Sequence, residues 1–314
     1  MTTTTPLFHD GVMRRLILAV LLALIAISVS AQQKSLAERL GYPADSRLLI
    51  VQTDLGMMHS INRAGFEALE KKLVTSATIL VPCPWFPEVA QFARNHPDLD
   101  FGLHLALNSE WRPYRWGPVS PRAAVPSLIG ADGYFPPLET DVYKNAKPAE
   151  VEQEFRAQIQ KAQNAGVRVT HVDSHMSAVF GSPALFEIYK KVADEFGLLY
   201  LLPRTSKLAE NAPSNAILID RDIQMKPRIP ASEWLDWYRR ELAALPPGVY
   251  QLTVHLGYDD EEARGATEGR DWGAKWRQTD WDVVRSPEFQ QMLRDQKFVL
   301  ISWGDLAKAA RSTP

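Results

Sequence analysis

The chain has 314 residues, with 35 Lys and Arg against 37 Asp and Glu, and an apolar fraction of 46 %. That length and balance suit one large globular domain or two small ones. No Lys/Arg cluster or zinc-finger spacing points to nucleic acid, and a lone cysteine, Cys83, leaves no intramolecular disulfide to stabilise the fold.

Arg14 and Arg15 precede an apolar run over residues 16–29, and Val29-Ser30-Ala31 offers small residues for cleavage. This reads as a secretory signal over residues 1–31, with export and a mature domain over 32–314. The run is shorter than the roughly 20 residues of a membrane span. A retained anchor is the competing reading, and Met13 an alternative start. After cleavage no stable membrane insertion is expected.

Alternation of apolar runs with amphipathic stretches follows. Strands are predicted over 47–53, 76–81, 100–107, 167–173, 198–202, 216–220, 249–254 and 297–302. Helices are predicted over 60–73, 87–95, 148–165, 183–196 and 231–244. Cys83, between two prolines after an apolar run, reads as a buried structural thiol. Strands alternating with helices argue for a parallel sheet. This many units predicts an α/β fold, a distorted TIM-like (β/α) barrel in a single domain. An open doubly wound sheet is the alternative, weakened by the lack of a Gly-rich loop after the first strand. Two insertions, 108–147 and 257–286, extend from strand C-termini and are rich in Trp and Tyr.

Three of the apolar runs end in groups suited to a metal: Asp54, His104 and His175. In barrels the strand C-termini carry the site. One carboxylate and two imidazoles leave coordination positions open for water and substrate, the catalytic arrangement. Imidazole suits zinc and carboxylate also suits magnesium, so one divalent ion, Mg or Zn, is the expected cofactor. Asp173 and His171 are read as supporting or acid–base groups, with a packed strand histidine as the equal alternative for His171. His255 closes a fourth run and adds a proton donor or acceptor. Trp111, Trp116 and Tyr258, in these insertions, are candidate substrate contacts, their flat faces suited to stacking. Asp259 and Asp260 either orient His255 or form a solvated turn.

Taken in order, these motifs resemble the YdjC-like carbohydrate deacetylases, which include chitooligosaccharide deacetylases. The resemblance runs from about Arg47 to Leu306. It is carried by Gln52-Thr53-Asp54-Leu55-Gly56 with Asn62, Val74-Thr75-Ser76, Gly102-Leu103-His104-Leu105, His171-Val172-Asp173-Ser174-His175 and His255-Leu256-Gly257-Tyr258. It implies a metal held by Asp54, His104 and His175, hydrolysis of an N-acetyl group from an amino-sugar oligosaccharide, and His255 as general acid for the departing amine. Three positions depart from the family pattern. Thr53 replaces the Asp expected as general base, Ser177 and Val179 replace histidines, and Leu256 replaces a proline. Threonine is no base near neutral pH. The reading is therefore a metal-dependent deacetylase, with Asp173, His171 or a metal hydroxide in the base's place. The alternative is a catalytically weak, metal-containing carbohydrate-binding relative. The sequence does not fix oligomeric state; a homodimer is compatible with it.

Overall fold

The computed structural model describes residues 34–213 and 215–311, so the secretory signal expected over residues 1–31 lies outside the described residues. The chain divides into two units between Ala44 and Asp45. The described part of the first holds one short helix, α1 (Leu36–Arg39). It opens with a capping box in which the Ser35 hydroxyl accepts the Glu38 N–H and the Glu38 carboxylate accepts the Ser35 N–H.

From Asp45 onward, strands and helices alternate. In order they are β1 (Arg47–Leu55), α2 (His59–Glu70), β2 (Ser76–Ile79), α3 (Phe86–Asn95) and β3 (Phe101–Leu105). Then come α4 (Glu139–Asn145), α5 (Pro148–Asn164), β4 (Val169–Ser174), α6 (Pro183–Glu195), β5 (Leu199–Pro203), β6 (Ala216–Ile219) and β7 (Arg221–Gln224). The chain continues through α7 (Trp234–Ala243), β8 (Gly248–Val254), α8 (Glu261–Ala266), α9 (Ala274–Val284), α10 (Pro287–Asp295), β9 (Phe298–Leu300) and α11 (Trp303–Arg311).

Every strand pair is parallel, in the order β6-β5-β4-β3-β2-β1-β8-β7. The short β9 takes the first half of the β1 edge whose second half bonds β2. The ends of this order are nearly joined. β6 and β7 are separated only by Asp220, and the first bonds β5 while the second bonds β8. One strand thus changes partner midway and brings the sheet round to a nearly closed barrel, as predicted.

Parallel strands covered by helices are apolar on both faces, and β1 is buried over its last eight residues. Thr53 and Leu55 face α2. A side chain at Gly65 on that helix would meet Leu55 at 2.4 Å and the Thr53 methyl at 3.5 Å, so the glycine lets helix and strand approach. Helix α5 starts on Pro148, ends before Gly166 at φ +83, and buries Val151, Phe155, Ile159 and Ala162. Between them it also buries two polar side chains that fix the rim. Glu154 accepts the N–H groups of Val119 and Ser120, both at 2.9 Å, and Gln158 bonds both backbone groups of Ala106. These bonds hold the long 108–147 insertion over the C-terminal end of β3. Cys83 is buried, and burial pushes its thiol well above the ordinary range, so it is packed rather than reactive. Among the described residues, no helix is long and apolar enough to cross a membrane.

Candidate active site

Alternation along each strand decides which side chains point into the barrel. On β1 these are Gln52 and Asp54, on β3 Gly102 and His104, on β4 His171 and Asp173, with His175 just beyond the strand. Gly102 is required by its neighbour: a side chain there would meet the His171 ring at 2.3 Å. His171 is fully buried, stacked on Trp303 with ring centroids 4.6 Å apart, and bonded through Nε2 to the Gln52 carbonyl at 3.1 Å. The Thr170 hydroxyl lies 2.9 Å from its Nδ1, and burial holds the imidazole below its usual pKa. This is the packed alternative for His171: both nitrogens are committed below the site.

Gln52 donates its amide to Asp173 Oδ2 at 2.7 Å, and Asp173 Oδ1 accepts from His104 Nδ1. Asp173 is thus a positioning group. It fixes the His104 tautomer and leaves Nε2 bare toward the barrel mouth. Burial works against protonation of His104, but Asp173 outweighs it and raises the imidazole above its usual value. The His104 and His175 rings meet edge to face, centroids 5.1 Å apart.

His175 Nε2 donates to Glu110 Oε2 at 2.9 Å. Burial alone would raise the Glu110 carboxyl, but His175 holds it below the usual range. Glu110 was not a sequence candidate. It falls in an aromatic insertion, and its one signal was its position six residues after His104. Asp54 is likewise buried, yet Arg277, then His255, His104 and His175, keep it ionised below the carboxylate range. Arg277 Nη1 stands 3.5 Å from Asp54, and its guanidinium lies over Trp111. It comes from α9, a helix within what reads as an insertion by sequence.

His255 completes the group. Its Nδ1 is buried without a partner, and burial pushes its pKa down to about 4, helped by Arg277 and opposed by Asp54. Its backbone N–H donates to Asp280 Oδ2 at 2.6 Å. Asp280 therefore holds His255, whereas Asp259 pairs with Arg264 and Asp260 caps α8. The orienting role considered for Asp259 and Asp260 belongs to Asp280.

The aromatic candidates are placed differently from one another. Trp116 packs on His175 and Trp111 on Trp116, at 5.9 and 5.6 Å between centroids, and both are buried. They are walls of the site rather than open platforms. Tyr258 bonds Glu67 on α2 at 2.6 Å and packs on Trp281. Thr53 is outside the group. It lies on the α2 side of β1, fully buried, its hydroxyl without a partner.

Among the described residues, no three His, Cys, Asp or Glu side chains stand together as a ready metal cage. Asp54 is turned to Arg277 and His175 to Glu110. The donor set nevertheless fits a divalent ion. It has one ionised carboxylate and two imidazoles, one held by a carboxylate as metal-binding histidines commonly are, with the bare Nδ1 of His255 beside them.

Residues 47–295 match the profile described as YdjC-like protein. The chain is 30 % identical over 284 residues to a carbohydrate deacetylase of Thermus thermophilus, covering 87 % of this chain and 98 % of that one. It is also 30 % identical to one of Brevibacillus brevis over 271 residues, covering 83 % and 99 %. Among solved structures, a protein of Enterococcus faecalis described as a candidate cellobiose-phosphate cleavage protein superposes with a TM-score of 0.71. It is 22 % identical and covers 83 % of this chain and 99 % of that one. At that identity the likeness concerns the fold alone.

Proposed function

The chain belongs to the YdjC-like family, and from that premise we propose that it is an exported, metal-dependent hydrolase removing N-acetyl groups from amino-sugar oligosaccharides. The relatives' name, carbohydrate deacetylase, supports the reaction class. The observation that carries the metal reading is the buried Asp54 at the end of β1, beside Arg277 at 3.5 Å and with His255, His104 and His175 adding to the positive charge that holds it ionised.

A divalent ion at Asp54, His104 and His175 would polarise the acetyl carbonyl and acidify a bound water. Asp173 keeps the His104 Nε2 aimed at that place. His255, neutral above about pH 4, is able to take up a proton and return it to the departing amine nitrogen. Asp280 fixes its backbone. Arg277 sets the charge beside Asp54. Thr53 supplies no base, and Asp173 and His171 are spent on hydrogen bonds. Glu110 is bonded to His175 in this structure; with His175 turned to a metal its carboxylate would be released to accept the proton of the attacking water.

The second reading is a weakly catalytic, carbohydrate-binding relative, in which the carboxylates of the site stay committed, Asp173 to His104 and Glu110 to His175. The test is acetate release from a panel of N-acetylated oligosaccharides with added Mg or Zn. Release that a chelator abolishes supports the hydrolase. Glycan binding and metal retention without release sink it in favour of the second reading.

A further inference from the structure

The rim of the barrel carries an aromatic surface that the chemistry above does not use. Trp85, between β2 and α3, is 36 % exposed. Its indole is held at several points. The Nε1–H donates to Glu262 Oε1 at 2.9 Å, across to the start of α8, which follows β8. His59 lies against the ring, centroids 5.0 Å apart and planes 31° from parallel. His59 is itself anchored through Nδ1 to Glu88 at 2.6 Å, and the same carboxylate accepts from Asn62 at 2.7 Å. The Trp85 N–H bonds the carbonyl of Gly56 at 3.2 Å. Gly56 is two residues past Asp54, about 7 Å of extended chain. A half-exposed indole of this rigidity, fixed at the N–H and backed by an imidazole, is unusual for a residue with no packing duty, because exposed tryptophans are otherwise sparing on surfaces. It spans the end of the strand that carries Asp54.

We propose that Trp85, backed by His59 and fixed by Glu262, is a stacking platform for a second sugar ring of the substrate, next to the unit that loses its acetyl group. An indole covers the apolar C–H face of a pyranose, and the Glu262 carboxylate beside it can accept a hydrogen bond from a ring hydroxyl. The inference rests on the proposed function and adds to it the residue that reads the second ring, so that affinity is set at Trp85 as well as at the reacting unit. The buried Trp111 and Trp116 do not offer such a face, so the rim supplies it.

The test is kcat/KM for N-acetylated chito-oligosaccharides of increasing length, from the monosaccharide to the tetramer, with binding of the same series measured calorimetrically. In the wild type, kcat/KM is expected to climb with length. Trp85→Ala is expected to flatten the climb by about tenfold, through KM, and to weaken tetramer binding in step. Trp85→Phe, which keeps a ring and loses only the bond to Glu262, is expected to retain most of the climb and guards against a folding defect in the alanine variant. The same length dependence in wild type and Trp85→Ala overturns the platform while leaving the deacetylase intact. A wild type that neither binds nor hydrolyses any member of the series overturns the proposed function and the platform together.

Discussion

His104 keeps one ring nitrogen for the site because Asp173 occupies the other. Partners of this kind typically change metal affinity or activity by about 10–100-fold when removed. Asp173→Asn is therefore expected to weaken Mg or Zn binding by about that factor, read by metal titration; an unaltered affinity would mean that the hydrogen bond does not orient the ligand. His104→Ala and His175→Ala are expected to leave the purified protein without stoichiometric metal by elemental analysis, and full metal in both removes the assignment. Glu110 carries the sharper claim. General-base catalysis contributes about 10²–10⁴-fold, so Glu110→Gln should lower kcat for acetate release by that order with the metal still bound. A small change would return the base's role to a hydroxide that needs no protein carboxylate. Thr53 makes no such claim, because adjacent strand residues point to opposite faces and Asp54 already takes the inner one.

At the scale of elements, Gly102 and His171 show how β3 and β4 fit. The ring is clamped by Trp303 on one side and the bare Cα on the other. Gly102→Ala cannot be relieved by a flexible neighbour, and a loss of about 1–3 kcal/mol is expected in chemical denaturation; a neutral result would show that the clamp yields. Helix α9 and the end of β8 meet at Asp280, whose carboxyl burial raises to about 6. The groups facing it are Tyr238, the His255 backbone, Arg277 and, as a like charge, Asp54. Its folded pKa lies above its unfolded one, so the folded state holds the proton longer. Its contribution to stability is present below about pH 4 and is lost as pH rises through about 6, by up to about 3 kcal/mol. Asp280→Asn should flatten that part of the stability–pH curve, and superimposable curves would refute the shift. Legibility in the sequence follows the same divide. Strands that begin as continuous apolar runs, such as β1 and β5, were readable from those runs. The predicted strand over 216–220 became β6, while β7 (Arg-Asp-Ile-Gln) was missed because three of its four residues are exposed. Helix α9 was hidden for the opposite reason: it buries Arg277 and Asp280 among its tryptophans, which blurs the apolar period. Arg277 and Asp280 went unseen with it.

For the whole molecule, the export signal we propose over residues 1–31 predicts location. Cleavage after Ala31 should leave Gln32 as the first residue in mass spectrometry of the exported protein, and an intact leader on cytoplasmic protein refutes it. The barrel makes its own prediction at its seam. The sheet comes round because the strand of β6 and β7 changes neighbours at Asp220. Up to that point Ile219 accepts the N–H of Arg204 at 2.9 Å; from there on, the Asp220 N–H donates to Val249 at 2.8 Å. The Asp220 carboxylate bridges the two sides, accepting the Val249 N–H at 2.8 Å and Arg204 Nε at 2.5 Å. Gly248 leaves room for it, since a side chain there would come within 2.9 Å of Oδ2. Asp220→Ala removes the bridge and leaves the Val249 donor without its acceptor, a cost of about 1–3 kcal/mol. Because β2 and β3 are bonded on both edges and bond none of β6, β7 and β8, the loss should be local before it is global. Hydrogen exchange at Val249 and Arg204 should therefore quicken more than exchange along β2 and β3. Equal acceleration in all strands would mean that the barrel opens as one unit, with no weak seam at Asp220.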